Sequence, residues 1–138
     1  MVEIKTPAEI EAMRKGGHIL GNILQELKKE VKAEKTPLDV EARAEELFAE
    51  HGVTPGFKGY RGYPSICCIS VNEQLVHGIP GDIPFNTGDI VKIDCGAIWD
   101  DLYTDSAISI IVGGPEAGSE KTRRLSEATK KALNLGIK

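Results

Sequence analysis

The stretch VKIDCGAIWDDLYTDSAISIIV, Val91 to Val112, decides how the rest of the chain is read. It has the form of two strands around a tight turn, and each strand carries a carboxylate inside an apolar run. Asp94 stands in VKIDCGAI and Asp105 in LYTDSAISI. A carboxylate placed in a sheet costs several kcal/mol unless a cation, a hydrogen-bond network or a proton neutralises it. A turn centred on Trp99 and Asp100 predicts that residues whose numbers sum to 199 face each other, which sets Asp94 opposite Asp105. Side chains opposed in this way have Cβ atoms about 4.5–5.5 Å apart on one face, where like charges repel. One or two divalent cations turn that repulsion into coordination, because hard and borderline metals accept carboxylate oxygens. A competing reading makes one aspartate a turn cap, or pairs it with Lys92 or Arg61. A one-residue slip of the turn would also part the two aspartates. Asp100 and Asp101 are read as solvated turn residues.

Upstream of the hairpin, NEQLVHGIP puts His77 at the end of a short apolar run, ahead of a Gly-Ile-Pro turn. A histidine displayed there can hydrogen-bond a substrate amide or stabilise charge at a reacting carbonyl; a purely structural histidine is the alternative. The segment VTPGFKGYRGYP, 53–64, reads as a long shaped loop, and long loops in compact domains are more often functional than idle. Tyr60 and Tyr63 from this loop, with Cys68 from ICCISV, could wall an apolar pocket. Sulfur–aromatic contacts there would favour methionine. The alternative is that the tyrosines only cover the loop. No cysteine has an evident base partner, so a nucleophilic thiol is not supported.

The flanking segments predict helices over about 7–32, 37–51 and 119–135 and strands over about 66–71, 75–78, 90–98 and 101–112. Thr6-Pro7 with Glu9, and Thr36-Pro37 with Asp39, are N-terminal helix signals. Ile10, Met13, Gly17, Leu20, Leu24, Leu27 and Val31 form the first apolar stripe, and Val40, Ala44, Leu47 and Phe48 the second, closed by Gly52. Leu125, Ala128, Ala132 and Leu135 are expected to point inward from the third helix. Two helices, a sheet and a helix argue for an α+β fold, mainly antiparallel.

Composition sets outer limits. Hydrophobic residues make up 41% and charged residues 28% of 138 positions, as in an ordinary globular domain. The net charge of −4 and the lack of a basic cluster with interleaved aromatics argue against specific nucleic-acid binding. No apolar run is long enough to span a bilayer and no leader opens the chain, so the expected location is the cytoplasm, with no membrane partner. Three cysteines make no disulfide framework. The vicinal Cys67 and Cys68 would point to opposite faces of a strand.

Taken together, FKGYRGYPSICCISVNEQLVHGIP and NTGDIVKIDCGAIWDDLYTDSAISIIVG strongly resemble the type I methionine aminopeptidases, and the resemblance runs through the opening IKTPAEIEAMRKGG. It implies the first half of the pita-bread (creatinase/aminopeptidase) fold, a mainly antiparallel sheet with helices on one face, the chain being the N-terminal portion of a catalytic domain. It implies that Asp94 and Asp105 are ligands of a two-metal centre (Co, Mn, Fe or Zn), Asp94 chelating one ion and Asp105 bridging both. His77 would contact the scissile peptide as a catalytic and substrate-binding residue, and Tyr60, Tyr63 and Cys68 would line the methionine pocket. The implied activity is removal of the initiator methionine from nascent chains, with the ribosome as a further candidate partner.

The family's remaining ligands, a histidine and two glutamates, come from its second half. No histidine follows Asp105 here, and Glu116, Glu120 and Glu127 lie in a loop and a surface-like helix. With two ligands of five, the chain alone is expected to bind metal weakly and to have little or no activity, as a shortened chain, a fragmentary gene product or a half that dimerises. Self-association through the exposed half-fold face follows from the same view. The rival classes are a non-catalytic binding module of the same fold and an enzyme cleaving before proline.

Overall fold

The computed structural model describes residues 4–138, ordered as α1 (Pro7–Glu30), α2 (Pro37–His51), β1 (Thr54–Pro55), β2 (Cys67–Val71), β3 (Ile90–Trp99), β4 (Leu102–Ile111) and α3 (Glu120–Gly136). Both long N-terminal helices begin with the same device. The Thr6 hydroxyl accepts from the Glu9 N–H while the Glu9 carboxylate accepts from the Thr6 N–H, and Thr36 and Asp39 repeat the arrangement. Gly52 closes α2 in a left-handed conformation at φ 64°.

β3 is the axis of the sheet. β4 pairs antiparallel along one edge of it, while β1 and β2 lie end to end along the other. Odd-numbered Val91, Ile93, Cys95 and Ala97 turn toward the helices and are fully buried. They meet Leu20, Ile23, Leu24 and Leu27 of α1 and Val40, Ala44, Leu47 and Phe48 of α2 in one core. Each Val, Leu, Ile or Phe side chain among them contributes about 1.5–3 kcal/mol by leaving water. Gly16 lets α1 lie close to the hairpin: a Cβ there would sit 3.1 Å from Trp99 Cβ. The even-numbered face of β3, carrying Lys92, Asp94, Gly96 and Ile98, looks away from α1 and α2.

Five expectations need correction. The hairpin turn is Asp100–Asp101, both left-handed at φ 53° and 60°, so facing residues sum to 201 rather than 199, as in Ile90↔Ile111 and Trp99↔Leu102. A two-residue turn of this hand needs positive φ at both central positions, which aspartate tolerates far better than tryptophan. Residues 75–78 form no strand. His77 sits at φ 58°, which breaks an extended run, and the segment meets β2 through one backbone bond, Ile69 N–H to Gly78 O, at 2.8 Å. Along α1, Ile23 belongs to the core while Ile10 and Gly17 lie at the surface. Finally, α3 buries none of its residues. Leu125 and Leu135 are 56% and 61% exposed, because no described element packs on the stripe they share with Ala128 and Ala132. The sheet also has a short strand, β1, inside the segment read as loop.

Candidate active site

β3 and β4 deliver the two carboxylates. Asp94 pairs in register with Ala107, and Asp105 with Gly96, so the aspartates are diagonal rather than direct neighbours. A two-residue change of register preserves the face, since side chains alternate with period two. Both therefore project from the face opposite the helices, within reach of each other. Burial, followed by the charge of Asp105 and a hydrogen bond with it, raises the Asp94 carboxyl to about 6, while the nearby His77 opposes the rise. The alternative partners are engaged elsewhere. Lys92 Nζ donates to the Asn72 carbonyl at 2.7 Å, and the Arg61 guanidinium lies 5.4 Å from the Tyr60 ring centre.

The aspartates form one wall of an open cleft of about 700 Å³, and all six residues singled out from the sequence line it: Tyr60, Tyr63, Cys68, His77, Asp94 and Asp105. Each arrives from a different piece of backbone. Cys68 faces Asp94 across the β2–β3 ladder, and burial raises its thiol. The Tyr63 hydroxyl donates to both the Cys67 and Gly78 carbonyls at 3.1 Å, and burial pushes its phenol well above the usual value. Tyr63 is thus a strap as well as a wall, tying the His77 segment to β2. Gly78 completes the strap: its N–H donates to Ser70 Oγ at 3.0 Å, and a Cβ there would collide with the Ile69 carbonyl oxygen. His77 is exposed at the rim in a left-handed conformation, which histidine adopts more readily than most non-glycine residues.

Sequence reasoning missed Phe57, Ile79 and Tyr103 in the same lining. Tyr103 was detectable, since it precedes Asp105 by two positions on β4 and shares its face. Phe57 was not, because its place depends on Gly96: a Cβ there would lie 2.7 Å from the Phe57 ring. The two carboxylates suit a hard or borderline divalent cation as part of a donor set. Among the described residues no group of three or more His, Cys, Asp or Glu is placed to hold an ion.

Residues 11–138 match the model of metallopeptidase family M24. The chain belongs to that family. Within the M24 proteins it is 42% identical over 127 residues to a methionine aminopeptidase of Clostridium perfringens, covering 92% of this chain and 51% of the relative. It is 39% identical to methionine aminopeptidase 1 of Bacillus subtilis, covering 99% and 54%. It superposes on the crystal structure of methionine aminopeptidase from Thermotoga maritima with a TM-score of 0.94 and 42% identity, covering all of this chain and 55% of that one. A prolidase from Pyrococcus furiosus aligns at a TM-score of 0.80 and 29% identity, over 94% and 36% of the two chains. The fold is the pita-bread fold of these enzymes, and this M24 chain spans about half the length of the curated methionine aminopeptidases it matches. Membership of a metallopeptidase family implies dependence on divalent metal.

Proposed function

We propose that the chain is the N-terminal half of a methionyl aminopeptidase, with Asp94 and Asp105 as two ligands of its metal centre. The observation that carries this reading is the convergence of both carboxylates in the cleft that also holds His77, Tyr60, Tyr63 and Cys68. Asp94 and Asp105 would hold one or two divalent ions, which when bound supply Lewis acidity and lower the pKa of a water. His77, displayed at the rim, hydrogen-bonds the peptide next to the bond to be cut. Tyr60, Tyr63 and Cys68 enclose an unbranched side chain at the peptide's N-terminus, and the thiol and rings favour the sulfur of methionine. The substrate class is a peptide or nascent chain beginning with Met. With two carboxylates as the ligands found among the described residues, this chain alone binds metal weakly and cleaves little.

Two measurements test the reading. Calorimetric titration of Mn²⁺ into the chain should show weak binding that falls at least tenfold in both Asp94→Asn and Asp105→Asn. In the protein carrying both halves, Asp105→Asn should lower kcat/KM on a Met-Ala peptide by more than about 100-fold. A variant that cleaves as well as its parent refutes the ligand assignment.

One observation favours a second reading alongside the first. The apolar stripe of α3 has no partner among the described residues, so as a half-fold the chain would associate with a complementary half or a second copy.

A further inference from the structure

We propose that Cys67 and Cys95 form a site of reversible oxidation, closing a disulfide across β2 and β3 when the protein meets a hydroperoxide. Both are free thiols in the folded chain and both are fully buried. They face each other in register, with Sγ atoms 2.8 Å apart. A disulfide bond is about 2.0 Å long, so roughly 0.8 Å of approach closes it.

The backbone around the pair fits such a bond. The Cys67 N–H donates to Glu41 of α2 at 3.0 Å, and the Ile69 N–H donates to Gly78 at 2.8 Å. These groups point away from β3, which makes Cys67↔Cys95 a non-hydrogen-bonded pair. Such pairs have Cα atoms about 4.5 Å apart, closer than the alternate type. That spacing lies inside the range of about 4.4–6.8 Å that disulfides span. Cys68 is excluded from the pair because alternation turns it to the cleft.

The chemistry balances with one peroxide. A thiolate of the pair attacks an oxygen of H₂O₂; an S–O bond forms, the O–O bond breaks and hydroxide leaves. The second sulfur then attacks the resulting sulfenic sulfur; the S–S bond forms, the S–O bond breaks and a second hydroxide leaves. The two thiol protons convert both hydroxides to water. Two thiols are oxidised and one peroxide is reduced to two waters. The S–H···S contact and burial keep Cys67 protonated, so the reaction waits on local opening and is slow. Once formed, the bond lies directly behind Cys68 and Asp94, the next residues along β2 and β3, and locks the spacing of the strands that carry them.

Peptide mapping decides the matter. The folded chain is exposed to H₂O₂, quenched with catalase, denatured, alkylated with N-ethylmaleimide and digested with trypsin. The expected product joins peptides 62–92 and 93–121, lighter by two hydrogens and heavier by the one N-ethylmaleimide carried on Cys68 than the sum of the unmodified peptides, with fragment spectra locating the bond at Cys67 and Cys95. Cys68 remains outside the bond, and dithiothreitol restores alkylation at both sites. Cys67→Val should leave Cys95 fully alkylated, while Cys68→Ala should still cross-link. Full alkylation of Cys67 and Cys95 at exposures that oxidise Cys68 overturns the proposal. A bond through Cys68, or one between chains, does the same. Should Cys67→Val fail to fold, the map of the unsubstituted chain decides alone.

Discussion

In an unfolded chain the Asp94 carboxyl loses its proton near 3.8; in the folded sheet, burial and then Asp105 raise that to about 6. The folded form therefore holds a proton that the unfolded form has released, and metal-free stability falls as pH rises from about 4 to about 6, then stays level. Because Asp94 is only half-buried and partly screened by solvent, the loss should be of order 1 kcal/mol. Urea unfolding across this range should show the slope in the parent and a flattened profile in Asp94→Asn; an equal slope in both would place the effect elsewhere. The two aspartates stood out in the sequence as carboxylates inside apolar strands, whereas His77, Tyr60, Tyr63 and Cys68 each had an equally good structural reading and were singled out by the resemblance; the structure brings all six to one cleft. Their contacts were less legible. The strap made by Tyr63 depends on two carbonyls, at Cys67 and Gly78, that no spacing rule brings together.

The elements show where local signals suffice. Thr-Pro followed by an acid marks both helix starts because the cap is complete within four residues. The hairpin turn is equally local, and its correct placement follows from asking which two residues accept positive φ, namely Asp100 and Asp101. The expected strand at 75–78 failed for the opposite reason: apolar Leu75 and Val76 suggested burial, yet they are 81% and 60% exposed. Between α2 and β2 the decisive contact spans 25 residues. The Glu41 carboxylate accepts from the Ile66 N–H at 2.5 Å and the Cys67 N–H at 3.0 Å, fixing the start of β2 and hence Cys68. Glu41→Ala leaves both donors without their charged partner and should destabilise the chain by about 2 kcal/mol in equilibrium unfolding. An unchanged midpoint would show that water replaces the carboxylate at no cost.

For the molecule as a whole, the fold class was readable and the closure was not. The periodicity of α3 is as clear as that of α1, but amphipathicity states only that a face wants cover. Leu125 and Leu135 meet no described element, and the chain aligns with about half of its relatives. Sedimentation at rising concentration should show self-association, and the double variant Leu125→Glu, Leu135→Glu should remain monomeric. A parent that stays monomeric throughout would mean that the stripe is harmlessly solvated. Among the described residues, no helix is long and apolar enough to cross a membrane.

The two aspartates do not rest on equal foundations. β3 is gripped along both edges, by β4 on one side and by β1 and β2 on the other, whereas β4 is held by β3 alone among the described strands. Asp94 thus sits on a strand hydrogen-bonded along both edges, and Asp105 on one hydrogen-bonded along a single edge and backed by α1. On the proposed ligand assignment, a cation whose preferred bite differs from the resting separation would be met by movement of β4, the strand with one hydrogen-bonded edge.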